Sequence, residues 1–216
     1  MQDGVILIDK PAGITSFGVV ARVRGNLTRT QGKKVKVGHT GTLDPFATGL
    51  MILVIGKECK NAGKYTKLDK TYEATIVLGQ TSSTGDPEGE IKDVSNSEPA
   101  IEEVKASLAK FVGEITQKPP MYSAIKINGQ RAYKLARKGE AVEIPERVVN
   151  IYSLDLIEYQ YPEIKIRTHV SSGTYIRSLA EDVGNDLGVG AYCSQLRRIS
   201  IDKWSVEEAK SLEEFN

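Results

Sequence analysis

Gly38-His39-Thr40-Gly41-Thr42-Leu43-Asp44-Pro45-Phe46-Ala47-Thr48-Gly49-Leu50 is a polar, glycine-punctuated loop that presents one carboxylate, Asp44, and leads into the apolar run Met51 to Ile55. Pro45 biases Asp44 away from helical dihedrals and toward extended backbone. Gly38, Gly41 and Gly49 allow tight turns or the close approach of another backbone. An isolated Asp-Pro is far more often a turn starter than a nucleophile. The meaning of Asp44 therefore depends on what accompanies it. The apolar run behind it reads as a short strand.

Outward from this loop the elements alternate. Val5 to Ile8 reads as a buried strand, and Thr15 can cap a helix running toward Arg24 or Leu27. Glu58 to Lys67 reads as a helix, Tyr72 to Leu78 as an alternating strand, and 85–99 as an acidic, turn-rich connection. Ile101, Val104, Leu108 and Phe111 have helical spacing. Pro119-Pro120 breaks the chain; Ala124 to Ile127, Asn128-Gly129 and Ala132 to Arg137 then suggest strand, turn and helix. Val148 to Tyr159 and Ile164 to Val170 predict an antiparallel ribbon joined near Tyr161-Pro162. Tyr175 to Leu187 is an amphipathic helix and Ala191 to Ile201 a last long strand. This mixed order predicts an α+β fold rather than a doubly wound one. With no repeat or linker evident, the 216 residues are expected to form one domain.

Composition narrows the class. An apolar fraction of 40% and a mean hydropathy of −0.28 fit a soluble globular chain. No apolar run approaches the ~20 residues of a membrane helix, and the N-terminus lacks a secretory signal's pattern. Cys59 and Cys193 are expected to be idle thiols in a reducing cytosol. With His39 and His169 the only histidines, a zinc centre is not expected. Net charge is only +1, but it is segregated. No acid separates Asp9 from Asp44, whereas Lys10, Arg22, Arg24, Arg29, Lys33, Lys34 and Lys36 lie between them. Between Glu114 and Glu140 stand Lys118, Lys126, Arg131, Lys134, Arg137 and Lys138, and Lys57 to Lys70 is a third basic stretch. Solvated helix faces could account for such runs singly. Basic tracts on both sides of the Asp44 loop favour a polyanionic substrate.

Several blocks in a fixed order resemble the bacterial tRNA pseudouridine-55 synthase family. They are Asp9-Lys10-Pro11-Ala12-Gly13-Ile14-Thr15-Ser16, the Gly38 to Leu50 loop, Lys70-Thr71-Tyr72, and Leu78-Gly79 leading to Thr84-Gly85-Asp86. Lys118-Pro119-Pro120-Met121-Tyr122-Ser123-Ala124-Ile125-Lys126, Gly173-Thr174-Tyr175-Ile176-Arg177 and Leu196-Arg197-Arg198 follow. The resemblance runs from about Val5 to about Trp204. It implies a mixed, largely antiparallel sheet with flanking helices around a central RNA-binding cleft. It also implies an inserted arm at about 118–147 that grips an RNA stem-loop. The small C-terminal RNA-binding domain common in the family is not evident in this sequence.

The resemblance implies a catalytic set of Asp44, Tyr72 and Arg177. Asp44 would be the nucleophile, attacking C1′ or C6 of a flipped uridine. Arg177, permanently charged, would keep that acid ionised against desolvation. Tyr72 would stack on the target base and assist removal of the C5 proton. His39, Tyr175, Leu196, Lys10 and Lys126 would contact substrate; for Leu196 an ordinary core position is nearly as good a reading. The reaction needs neither redox chemistry nor an external nucleophile, so no cofactor and no metal are implied. The expected partner is the T-arm stem-loop of tRNA, met by a cytoplasmic monomer with no membrane association. Two other readings stay open: a noncatalytic RNA-binding or RNA-folding protein, and a pseudouridine synthase acting on another RNA. A glycosidase normally uses two catalytic carboxylates, and no second acid sits in a comparable motif.

Overall fold

The computed structural model describes residues 3–123, 125–127, 130–131 and 144–216. The chain divides into two compact units, one formed by Met1–Tyr72 with Arg197–Asn216 and the other by Glu73–Leu196. Among the described residues no helix is long and apolar enough to cross a membrane. The fold is α+β, with mixed strand pairing and four described helices.

In the first unit, strand β1 (Gly4–Lys10) pairs antiparallel with β3 (Thr48–Ile55), from Gly4↔Ile55 to Lys10↔Gly49. The other edge of β3 takes the short β2 (Val37–His39) antiparallel and the end of β12 (Ala191–Ile201) parallel, through Arg197↔Thr48 and Arg198↔Gly49. β3 is buried almost throughout, which is why its sequence is a continuous apolar run rather than an alternating one. The short strands β13 (Trp204–Ser205) and β14 (Lys210–Ser211) extend the set on β12 and β1.

Helix α1 (Ser16–Gln31) begins as expected: the Thr15 side chain accepts from the Gly18 amide at 3.0 Å. It runs past Leu27 because Gly25 weakens but does not stop a helix, whereas Gly32, in the left-handed region at φ 63°, does. Its Val19, Val20, Val23 and Leu27 form the buried stripe. The helix expected from Glu58 is a 3-10 turn over Gly56–Asn61 followed by one short helix, α2 (Ala62–Thr66). Asn61 and Gly63 are poor helix formers, and they stand where the regular helix would have to be continuous. The acidic end of the chain forms short 3-10 turns and β14.

In the second unit, β10 (Arg147–Gln160) and β11 (Glu163–Val170) make the expected antiparallel ribbon, with Ile151↔Val170 at one end and Gln160↔Glu163 at the other. Ile164, Ile166, Thr168 and Val170 face inward at period two. β4 (Lys70–Leu78) neighbours β11. The acidic connection carries a small hairpin, β5 (Gln80–Ser82) with β6 (Ile91–Asp93). Helix α3 (Ile101–Lys110) buries Val104, Ser107 and Leu108. Strand β7 (Gly113–Gln117), not anticipated from sequence, pairs with the start of β10 from Arg147↔Gln117 to Ile151↔Gly113. Helix α4 (Ile176–Asp186) buries Arg177 along with its apolar residues. Within the expected arm, β8 (Lys126–Ile127) pairs antiparallel with β9 (Gln130–Arg131), and the turn expected at Asn128-Gly129 lies outside the described residues. The helix expected over Ala132 to Arg137 lies outside the described residues.

Candidate active site

The Asp44 loop spans the gap between β2 and β3, and its carbonyls are held by two buried cations. Lys10, at the end of β1, is 0% exposed, and its Nζ donates to the carbonyls of Pro11 at 2.9 Å, Pro45 at 3.0 Å and Ala47 at 2.6 Å. Arg198, 1% exposed, donates from Nε to the Leu50 carbonyl at 2.7 Å and from Nη2 to the Gly41 carbonyl at 3.2 Å. Such charge-assisted bonds contribute about 1.5–3 kcal/mol each. They also offset the desolvation of the two cations themselves.

Neutral groups complete the mould. Ser16 Oγ donates to the Leu43 carbonyl and accepts from the Leu43 amide, both at 2.8 Å. The Gly13 amide donates to Pro45 at 2.8 Å, and the Ala47 amide closes a turn onto the Asp44 carbonyl at 3.2 Å. Gly49 is required where it stands. At φ 103°, a Cβ there would press on the Arg198 carbonyl oxygen and lie 2.7 Å from the Arg198 nitrogen. Asp44 itself is half-buried, as is His39 on β2. Lys70 is a third buried cation of this unit, donating to the Thr66 carbonyl at 2.8 Å and to that of Leu68. Burial, then repulsion from Arg198, pulls its pKa down to about 8. Tyr72 follows it on β4 and is 8% exposed.

The second unit holds Arg177 in the first turn of α4, not on the helix surface. Its Nη1 donates to Asp86 Oδ2 at 2.7 Å and to the Thr84 carbonyl at 2.8 Å, and its Nη2 to the Tyr122 carbonyl at 2.8 Å. Asp86 Oδ1 accepts from Thr84 Oγ1 at 2.6 Å and from the Glu88 amide at 3.0 Å. Both side chains of the pair are 3% exposed. Glu181, one turn along α4, has its pKa raised by burial first and then by Asp182, with Arg177 opposing. Burial also raises Asp182.

Tyr175 is clamped through its backbone: Gln117 Nε2 donates to its carbonyl at 2.9 Å, and Gln117 Oε1 accepts from its amide at 2.8 Å. The Arg147 guanidinium lies 4.7 Å from the Tyr175 ring centroid. Leu196 is buried on β12. The backbone of Lys126 lies in β8. Among the described residues, no group of three or more His, Cys, Asp or Glu side chains could hold a metal ion.

The expected site residues thus lie in both units: Lys10, His39, Asp44 and Tyr72 in the first, Tyr175, Arg177, Leu196 and Lys126 in the second. Lys10, expected against substrate, has its ammonium turned under the loop onto backbone carbonyls, a position from which it shapes the loop. Three further residues hold the site together without a sequence signal for that role: Asp86, Gln117 and Arg198. Asp86 and Arg198 do belong to short motifs, but local spacing does not say which charged side chain turns inward. Gln117 carries no motif at all.

Comparison with known proteins adds ancestry to this geometry. Residues 28–176 match the model of the TruB family pseudouridylate synthase (N terminal domain). The tRNA pseudouridine synthase B of Aquifex aeolicus is 46% identical over 216 residues, covering 99% of this chain and 74% of that protein. The enzyme of the same name from Opitutus terrae is 44% identical, covering 98% of this chain and 86% of its own length. Among solved structures, a chain of a Cbf5-Nop10-Gar1 complex matches with a TM-score of 0.74 at 29% identity, over 97% of this chain and 52% of that one. A chain of an H/ACA RNP bound to a substrate RNA containing 2′-deoxyuridine matches with a TM-score of 0.72 at 26% identity, over 97% and 51%. This chain spans about half the length of each of those two.

Proposed function

We propose that this chain, which belongs to the TruB family of pseudouridylate synthases, isomerises a uridine of tRNA to pseudouridine, the target being uridine-55 in the T-arm loop. The observation that carries the reading is the near whole-length kinship with enzymes named tRNA pseudouridine synthase B. The construction of the Asp44 loop supports it. A nucleophile must meet the reacting atom within a fraction of an ångström, and a loop fixed from below by Lys10, Ser16 and Arg198 keeps its acid preorganised.

In this reading Asp44 attacks the extruded nucleotide, the N1–C1′ bond breaks, the base turns and rejoins through C5, and the C5 proton leaves. Extrusion costs a few kcal/mol. Stacking on Tyr72 returns ~1–3 kcal/mol of that. Arg177 supplies fixed positive charge, and its pairing with Asp86 sets the direction of the guanidinium. Lys10 acts through the loop rather than on the RNA. His39, Tyr175 and Leu196 line the nucleotide, and the arm at about 118–147, with Lys126, contacts stem phosphates.

The test is incubation of the purified protein with an unmodified tRNA transcript, followed by mapping of pseudouridine. One modified position in the T-arm loop is expected. Asp44→Asn is expected to lose the product while still retaining the transcript in a filter-binding assay. Product at wild-type level from that variant would remove Asp44 as nucleophile. Modification of other RNAs with tRNA left untouched would replace the proposed substrate.

A further inference from the structure

A second basic feature lies away from the Asp44 loop. Lys33, Lys34 and Lys36 follow α1, and Lys57 and Lys60 lie in the 3-10 turn after β3. The pairing Val37↔Ile55 and the Gly56 amide donating to the Lys36 carbonyl at 2.8 Å bring the two segments side by side. Together they surround a surface pocket of about 370 Å³. All five lysines are exposed, and among the described residues none forms an ion pair or a side-chain hydrogen bond. Among the described lining residues the acid is Asp3, which already accepts from the Lys57 amide at 3.0 Å through Oδ1, and neighbouring Glu58 is engaged by the Tyr65 hydroxyl at 2.7 Å and Asn61 Nδ2 at 3.1 Å.

Five ammonium groups gathered around one concave site repel one another, and the two carboxylates nearby, Asp3 and Glu58, do not neutralise them. A polyanion would. Free phosphate and an RNA backbone share the chemistry that fits: several anionic oxygens at van der Waals spacing. Two observations favour RNA. The pocket sits at the Ile55 end of β3, whereas the Asp44 loop joins the Thr48 end. Seven residue steps at ~3.3 Å, roughly 23 Å, separate those two ends of β3 within one unit, while the loop's other end at His39 lies opposite Leu53. In addition, no acid interrupts the chain from Lys10 to Leu43, so the surface leading from one end to the other is not barred by sequence-local negative charge.

We propose that this lysine-lined pocket is a phosphodiester-binding site that anchors a part of the RNA remote from the reacting nucleotide. The proposal rests on the reading that the substrate is RNA. Its contacts carry affinity and salt dependence, not base recognition.

The experiment is fluorescence anisotropy with a labelled tRNA transcript across a salt series, comparing the wild-type chain with K33Q/K34Q/K36Q. Each lost phosphate contact lowers the slope of log K against log salt by ~0.7–0.9. Three lost contacts should flatten it by about 2, which at 0.1 M salt weakens binding on the order of a hundredfold. K64Q/K67Q, which alters exposed lysines outside the pocket, should change the slope by less than half as much. Equal slopes for wild type and the triple variant would overturn the proposal, as would an equal effect from the control pair. A parallel titration with inorganic pyrophosphate, read by thermal shift, covers the other source. Stabilisation of the wild type alone, with RNA slopes unchanged, would make this a small-anion site and also overturn it. Because binding is read without turnover, a flattened slope stands even if the transcript were left unmodified; that result would count only against the proposed reaction.

Discussion

Replacing Asp86 with alanine removes the carboxylate that meets Arg177 Nη1 at 2.7 Å in a setting where both side chains are 3% exposed. Arg177 would keep the carbonyls of Thr84 and Tyr122, but a carbonyl dipole does not replace the lost carboxylate beside a buried guanidinium. Breaking such a pair from one side costs about 3–5 kcal/mol. The Thr84 hydroxyl and the Glu88 amide would also lose this acceptor. With a urea m-value of about 2 kcal/mol/M, the unfolding midpoint should fall by about 2 M. Arg177→Met leaves the opposite charge stranded and should cost a similar amount. The double variant strands neither charge, so its cost should fall short of the sum by at least about 2 kcal/mol. Urea unfolding followed by circular dichroism on the four proteins closes the cycle. Additive costs, or a loss below about 1 kcal/mol for Asp86→Ala alone, would show that the pair does not organise this unit.

Gly49→Ala should lower the thermal midpoint sharply or prevent soluble expression, because the added methyl meets Arg198 backbone at a positive φ; a melting curve like the wild type's would contradict the close approach of β3 and β12. Glu181 holds its proton to a higher pH in the folded chain than in the unfolded one. Its contribution is therefore fully present below the unfolded carboxyl pKa and lost as pH rises through the raised folded value. The midpoint of Glu181→Gln relative to wild type should rise as pH climbs above the ordinary carboxyl range of about 4, and a difference that stayed flat or fell in differential scanning fluorimetry would reverse the assignment.

Some of this molecule is legible residue by residue. The ribbon of β10 and β11, the cap at Thr15 and the bounds of β12 follow from period and capping, which are local properties. β7 was not legible: Gly113–Gln117 is half-exposed, pairs only at one end of β10 and has few apolar residues to set a period. α1 outruns its expected end because a glycine inside a helix and a glycine that ends one look alike in sequence. The helix expected after β3 was too regular, since Asn61 and Gly63 weigh more in a short, half-exposed segment than in a packed one.

Around Asp44 the division is sharper. A constrained loop carrying a single acid, its basic surroundings and its motif order are all written locally in the chain, because glycine, proline and charge act through the nearest neighbours. Which cations lie inside is set by packing. Adjacent arginines on β12 diverge: Arg197 pairs with Asp9 through Nη2 at 2.8 Å, while Arg198 turns into the loop. Strand alternation requires them to point to opposite faces, but which face is buried depends on β3 arriving alongside. Lys10 and Asp86 likewise owe their positions to carbonyls and a guanidinium brought from far along the chain. A charge can be buried only where its partners converge, and that convergence is a property of packing rather than of any local stretch of residues.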